Sequence, residues 1–288
     1  AIPDSAPGEA IAFTFDRWSA FLDQVRPDGR TLRAAIGEKL RPYTFPPDTA
    51  RLTKDLADIR TLIRNEADFS PAQKTAILAA LASFDSGRKL RFRSSTNVED
   101  SEQFTGAGLY DSYSGCLWDD LDGDSTGPSR CDPDENNERG VFRAIRRVYA
   151  SFYNDNAFLE RLRHGVEESK VGMGVLVHHS FPDEEELANG VATLRFNFTP
   201  FSTNVTGDLV TQLGATPVTN PDGSAIAEVV DAARFSSFTS LVLKQRSSLV
   251  PLGAYVMDWE ADYRGFLALL SRVGVGYKQF FPAKDRFV

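Results

Sequence analysis

The sequence predicts an α+β fold, and three observations predict it. Apolar residues recur at helical spacing in the first third and again near the middle, Val171 onward alternates with a period of two, and no internal repeat or low-complexity tract is present. In chain order, Leu52, Leu56, Ile59, Leu62 and Ile63 mark a scaffold helix, and Ser70-Pro71 opens a second helix running through Phe84, with serine as cap and proline in the first turn. After the Ser86-Gly87 break, Lys89 to Arg93 alternates like a half-buried strand and runs into Ser94-Ser95-Thr96-Asn97, a loop composition. Cys116 to Gly140 is rich in Asp, Gly, Ser, Asn and Pro and reads as a solvated insertion loop.

Helical spacing returns through Val141, Ile145, Val148 and Phe152, then Phe158 and Leu162, with Asn154 or Asp155 able to cap the second of two helices. Val171, Met173, Val175 and Val177, followed across the acidic turn Asp183 to Glu186 by Gly190 to Phe198, are expected as an antiparallel pair. Weaker strands are expected at Asp208 to Leu213 and Ser240 to Lys244, and a last helix at Phe266 to Val273, stopped by Gly274.

Composition narrows the function classes. Forty acidic against thirty-two basic residues give a net charge of -8, so a nucleic-acid partner would have to be bound against the overall field and is not expected. No run of 18 apolar residues exists, so no membrane span is expected. The first thirty residues lack a signal peptide's basic start and apolar centre, although a chain opening on Ala1 leaves room for one already removed. Two cysteines, Cys116 and Cys131, exclude a disulfide-dense scaffold and a four-cysteine zinc site. They form either one bridge across the polar loop or two unrelated thiols.

Chemistry concentrates in Arg91 to Gly108. A strand ending in Arg93 and followed by Ser94 and Ser95 offers a bidentate cation and short donors, and Gly106 and Gly108 let backbone amides approach an anion. A salt-bridged strand end followed by a glycine turn is the structural alternative. Separately, Asp120, Asp122 and Asp124 alternate as in Ca²⁺ loops, but Ser125 stands where such a loop wants glycine and Cys131 where it wants glutamate, so a solvated acidic loop competes with a Ca²⁺ knot. Adjacent His178 and His179 cannot share one strand face, which argues against a two-histidine metal site.

Arg93-Ser94-Ser95, Glu99-Asp100 and Phe104-Thr105-Gly106 resemble the R-S-S-x-x-x-E-D-x-x-x-x-F-x-G signature of the amino-terminal ATP-binding domain of pyruvate phosphate dikinases and phosphoenolpyruvate synthases. Phe142 to His164 resembles the family's paired helices, Val171 to Pro182 its V-x-V-x-V-Q strand, Asn189-Gly190-Val191 the next strand, and Gln212-Leu213-Gly214 with Val218 to Pro221 its Q-x-G-E and V-T-N-P pieces. The resemblance implies an ATP-grasp-like fold of two α/β lobes with mainly antiparallel sheets. It places an N-terminal lobe at 1–115, the acidic insertion at 116–140 and a second lobe at 141–288. It also implies ATP and Mg²⁺ as cofactors, phosphoryl transfer to a histidine on a separate acceptor domain, and a cytoplasmic site of action, with export as the alternative if the cysteines bridge. By matched position, Arg93 would hold the ATP phosphates and is the catalytic candidate, Ser94 and Ser95 would lie near them, the Phe104 to Gly106 loop with Thr105 and Gly106 would cover them, Val175, Val177 and His178 would edge the adenine, and Glu99 and Gln212 complete the cofactor-binding set.

Departures from the pattern qualify the activity. No lysine-bearing G-G-K-x-x-N segment precedes Ala10, Ala215 replaces the acidic member of Q-x-G-E, and no histidine lies in a T-S-H-A context. The sequence to Val288 is expected to end before the family's D-x-E-W…Q-x-R-P strands, the alternative being that Asp258-Trp259-Glu260 supplies the first of them with Phe281 in the arginine position. Two expectations follow: a piece of a longer phosphotransferase, or a degenerate, non-catalytic ATP-grasp module, exported and Ca²⁺-stabilised.

Overall fold

A computed structural model describes residues 9–98, 100–101, 104–105, 109–124, 126–181, 185–198, 203–218, 225–236 and 238–271. The chain divides into two compact units between Ser180 and Phe181.

In the first unit, four antiparallel strands lie in the order β1-β6-β2-β5, formed by Ala10–Phe13, Met173–His179, Leu90–Thr96 and Tyr113–Gly115. Among the described residues its α-helices are α1 (Phe15–Leu22), α2 (Leu32–Leu40), α3 (Thr49–Thr61), α4 (Pro71–Leu81), α5 (Val141–Ser151) and α6 (Asp155–Arg163). Sequence chemistry sets their starts. Thr31 accepts from Ala34 N at 3.1 Å and Asp48 from Arg51 N at 3.2 Å, while Ser70 and Gln73 close a reciprocal capping box ahead of Pro71. The Ser70-Pro71 helix ends at Leu81, and Phe84 instead closes a turn onto the Leu81 carbonyl at 3.0 Å.

Apolar stripes on α1, α3 and α5 meet the inner sheet face in one core. Phe21, Leu56, Ile59, Ile145, Val148, Phe92 and Val177 are wholly buried there, each contributing roughly 1.5–3 kcal/mol. The Trp18 ring meets Tyr149 edge-on at 4.9 Å. One cation enters this layer: Arg161 is fully buried, pairs with Glu168 at 2.7 Å, donates to the Phe152 carbonyl at 2.9 Å and lies over the Phe152 ring at 3.9 Å. A buried charge requires that degree of pairing.

The acidic segment is an organised excursion. Cys116 and Cys131 form a disulfide, resolving the choice left open by composition. Inside the loop, Asp119 is buried and accepts from Arg130 N at 2.8 Å and Arg139 N at 2.7 Å. Helix α5 begins after Gly140, which has no side chain to cap it. Asp120 supplies the missing acceptor, taking the Val141 amide and, at 3.4 Å, the Phe142 amide. Asp120, expected among Ca²⁺ ligands, is therefore committed to a helix end.

The second unit holds strands in the order β10-β9-β8-β7, formed by Phe238–Gln245, Glu228–Phe235, Thr203–Leu213 and Ala188–Phe198, every neighbouring pair antiparallel. Val205, Leu209, Val230 and Ala232 face Tyr263 and Leu267, the latter on a helix covering 264–271. Tyr263 Oη donates to Glu228 at 3.0 Å and lies 2.6 Å from Thr211 Oγ1, so these three buried polar groups satisfy one another.

One expectation, about strand pairing, is corrected. Met173–His179 and Ala188–Phe198 do not pair, because β1 and β2 occupy both edges of β6 while β7 pairs with β8. Helices α5 and α6 also pack with the residues preceding the insertion, since β6, which follows them, runs through the middle of the first sheet.

Candidate functional site

Period-two alternation along β2 sends Leu90 and Phe92 into the core and puts Arg91, Arg93 and Ser95 on the outward face. Register adds their neighbours. Arg91 faces His178 on β6 and Ser114 on β5, Arg93 faces Leu176, and Ser95 faces Gly174. The outer edge is finished by Ala10 and Ala12 of β1, opposite His178 and Leu176, so that edge carries no large side chain.

Two sets of hydrogen bonds order this face. Arg93 Nε donates to His178 Nε2 at 3.0 Å, and His178 Nδ1 lies 2.7 Å from the His179 carbonyl. Arg91 Nη1 donates to Ser114 Oγ at 3.2 Å, which lies 3.2 Å from Ser180 Oγ. Burial, with the positive charges of Arg93 and Arg91 acting in the same direction, holds the His178 pKa below its ordinary value. Arg93 is exposed and forms no ion pair among the described residues. A guanidinium in this state suits an anionic ligand: its Nη groups are available, and its Nε is already fixed by a neutral acceptor.

The remaining expected residues divide by location. Ser94 pairs with Val175 and shares the inward side of the sheet with it, and Val175 and Val177 are buried in the helix-facing core. Those three lie on the side of the sheet opposite Arg93. Thr105 pairs with Asp100 in a hairpin of β3 (Asp100–Ser101) and β4 (Phe104–Thr105), just after β2. Glu99 and Gly106 lie outside the described residues, as do Thr219, Asn220 and Pro221. Gln212 belongs to the second unit, where it donates to the Ile226 carbonyl at 2.9 Å and accepts from Ser247 Oγ at 2.7 Å, so its carboxamide holds the fold together.

Arg91 and Ser114 join the candidate site without having been singled out. Arg91 was legible, being two residues from Arg93 on one strand. Ser114 carried no signal, since only strand pairing brings it there.

In the insertion, Asp122 and Asp124 come together with Glu138, their oxygens lying within 4.8 Å of one another. A hydrogen bond to Asp124, with burial and the neighbouring negative charges adding to it, pushes the Glu138 carboxyl up to about 7. Oxygen donors of this kind suit a hard cation such as Ca²⁺ or Mg²⁺. Glu138 has replaced Asp120 in the expected trio.

Residues 8–228 match the family described as the AMP/ATP-binding domain of pyruvate phosphate dikinase. The chain belongs to this family. Its α+β architecture, with two four-stranded antiparallel sheets, is ATP-grasp-like, and the family is one of nucleotide-binding domains. The match covers the whole Arg91–Arg93 face and ends at Glu228, the first residue of β9. No curated protein matches the chain. Among the described residues, no helix is long and apolar enough to cross a membrane.

Proposed function

We propose that the chain is the ATP-binding domain of a phosphotransferase and that the outward face of the first sheet receives the nucleotide phosphates. Arg93 is the principal anion contact, Arg91 and Ser95 flank it, and His178 holds it in place through Nε. The observation that carries this reading is an exposed arginine fixed by a neutral histidine inside a nucleotide-binding family's matched region. The face fits a polyanion, since two guanidiniums and two hydroxyls share it and the β1 edge bears only alanines. ATP, when bound with Mg²⁺, supplies the transferable phosphoryl group, and the family resemblance assigns its acceptor to a histidine on another domain. The protein's own part is positioning and charge neutralisation, which phosphoryl transfer chiefly demands.

Isothermal titration with Mg-ATP tests this. Wild type should bind, and Arg93→Ala should weaken binding by about tenfold or more, the value of a lost charge-assisted hydrogen bond. Equal affinities would remove Arg93 from the site. The second reading, a non-catalytic Ca²⁺-stabilised module, is favoured by the gathering of Asp122, Asp124 and Glu138 in a disulfide-closed loop. In that case Ca²⁺ raises the thermal midpoint and Mg-ATP produces no heat.

A further inference from the structure

Tyr113 pairs with Phe92 and therefore lies on the helix-facing side of β5, one residue before Ser114 on the outward face. Because β5 is the last strand of its sheet, the phenol stands at the sheet edge, where α5 packs against β5 and against the π-helical turn Leu62–Glu66 that follows α3. Three arginines come from these elements. Arg143 and Arg147 are one turn apart on the same face of α5, and Arg147 Cζ lies 5.1 Å from the centre of the Tyr113 ring. Arg64 belongs to the π turn, a winding that recurs at functional sites.

None of these three guanidiniums forms an ion pair or a hydrogen bond among the described residues, and Arg64 Nε is buried without an acceptor. Arg146, on the same helix, shows the ordinary outcome: it pairs with Asp68 at 3.3 Å and donates to the Ala67 carbonyl at 2.9 Å. The nearby carboxylates are already engaged. Asp111 accepts from Tyr113 Oη at 3.1 Å and from Asn154 Nδ2 at 3.3 Å, while Glu135 pairs with Arg139. Burial lowers the Arg143 pKa, and the positive charges of Arg147 and Arg139 act in the same direction. Burial and Asp111 raise that of Tyr113, with Arg64 and Arg147 opposing them, so all three cations are within electrostatic reach of one phenol. Like charges gathered without a counter-ion destabilise the free protein, and an anion placed among them would relieve that cost. Each arginine is half-buried, which leaves a small ion access to it.

We propose that this cluster binds a tetrahedral phosphoryl dianion, held between the guanidiniums of Arg64, Arg143 and Arg147 at the β5 edge. Forks that approach from two elements suit an ion whose oxygens point in several directions better than a planar carboxylate, which one arginine can satisfy alone. The site is separate from the Arg93 face, since Tyr113 and Ser114 point to opposite sides of the sheet.

The probe is inorganic phosphate, followed by phosphorus NMR line broadening on the full chain at constant ionic strength, with acetate as competitor and phenyl phosphate as a second ligand. Phosphate should bind saturably and acetate should not displace it. Arg143→Gln and Arg147→Gln should each weaken phosphate by about fivefold or more, as expected for one lost charge-assisted contact. Arg143→Gln also relieves repulsion, so its thermal midpoint in phosphate-free buffer should rise, and the further rise on adding phosphate should be smaller than in wild type. A purely structural arginine would give a lower midpoint instead. Phenyl phosphate distinguishes the sources: if it binds like phosphate, the site accepts a phosphoryl group carried on a larger molecule, and if it is excluded, the site takes the free ion.

An absence of saturable broadening would overturn the assignment, and so would acetate competing equally or undiminished phosphate affinity in both variants. If Arg147→Gln fails to fold, Arg143→Gln decides by the same readings. Arg93→Ala should keep its phosphate affinity. Loss there with retention in Arg143→Gln would move the phosphate to the nucleotide face and refute this site, whereas failure of wild type to bind Mg-ATP would refute the nucleotide reading alone.

Discussion

Because Arg93 Nε donates to His178 Nε2 at 3.0 Å, the imidazole carries its single proton on Nδ1, where the His179 carbonyl accepts it at 2.7 Å. Protonating the ring would remove the acceptor that fixes Arg93. With the folded pKa below the ordinary 6.5, the neutral ring lends stability that is fully present above 6.5 and is lost as pH falls through the folded value. Mg-ATP affinity, measured by titration calorimetry from about pH 8 to about pH 5, should therefore fall on acidification more steeply in wild type than in His178→Gln. Glutamine keeps an oxygen acceptor but does not titrate. The nucleotide's own protonation affects both proteins alike, so the difference between their slopes isolates the histidine. Parallel profiles would show that His178 does not position Arg93.

At the scale of elements, the helices were the most legible. The stripe Val141, Ile145, Val148 and Phe152 is continuous along one face, and burial of that face is what stabilises α5. Strand pairing was less legible because it depends on partners distant in sequence: β6 reads as an alternating run, yet nothing in that run names β1 and β2 as its neighbours. The extension of β2 through Ser94, Ser95 and Thr96 ran against a loop-like composition, and seven consecutive register pairs with β6 decided it. Half of the Arg-Ser-Ser motif was readable in detail. A strict two-residue alternation places Ser95 beside Arg93 and sends Ser94 to the other side, which a motif match does not register.

The start of α5 yields a prediction at this scale. A Cβ on Gly140 would collide with the Asp120 carboxylate, so the alanine variant must push away the group that accepts the Val141 amide. Gly140→Ala should cost about 1–3 kcal/mol in chemical denaturation, the range for overpacking combined with a lost helix cap. A variant as stable as wild type would mean that Asp120 does not hold the helix end.

Considered whole, the molecule has two cores of unequal size, and its only described disulfide belongs to the larger. Bridging residues 15 apart constrains the unfolded first unit by roughly 3 kcal/mol in the chain-entropy account. Scanning calorimetry with and without reductant should therefore lower the transition of the first unit and leave that of the second in place. A uniform shift would show that the two cores melt as one. The second unit also extends past the family match: Val230, Ala232, Tyr263 and Leu267 complete its core after Glu228, where the match ends. The end of the match therefore falls inside the second core rather than after it.

The carboxylate of Asp120 has a consequence for anyone redesigning this scaffold. An editor trimming 117–139 as surplus would delete a residue on which the following helix relies for its first turn, and would leave the Val141 and Phe142 amides bare. A shortened version would need its own serine or aspartate at position 140 to stand in for the lost oxygen.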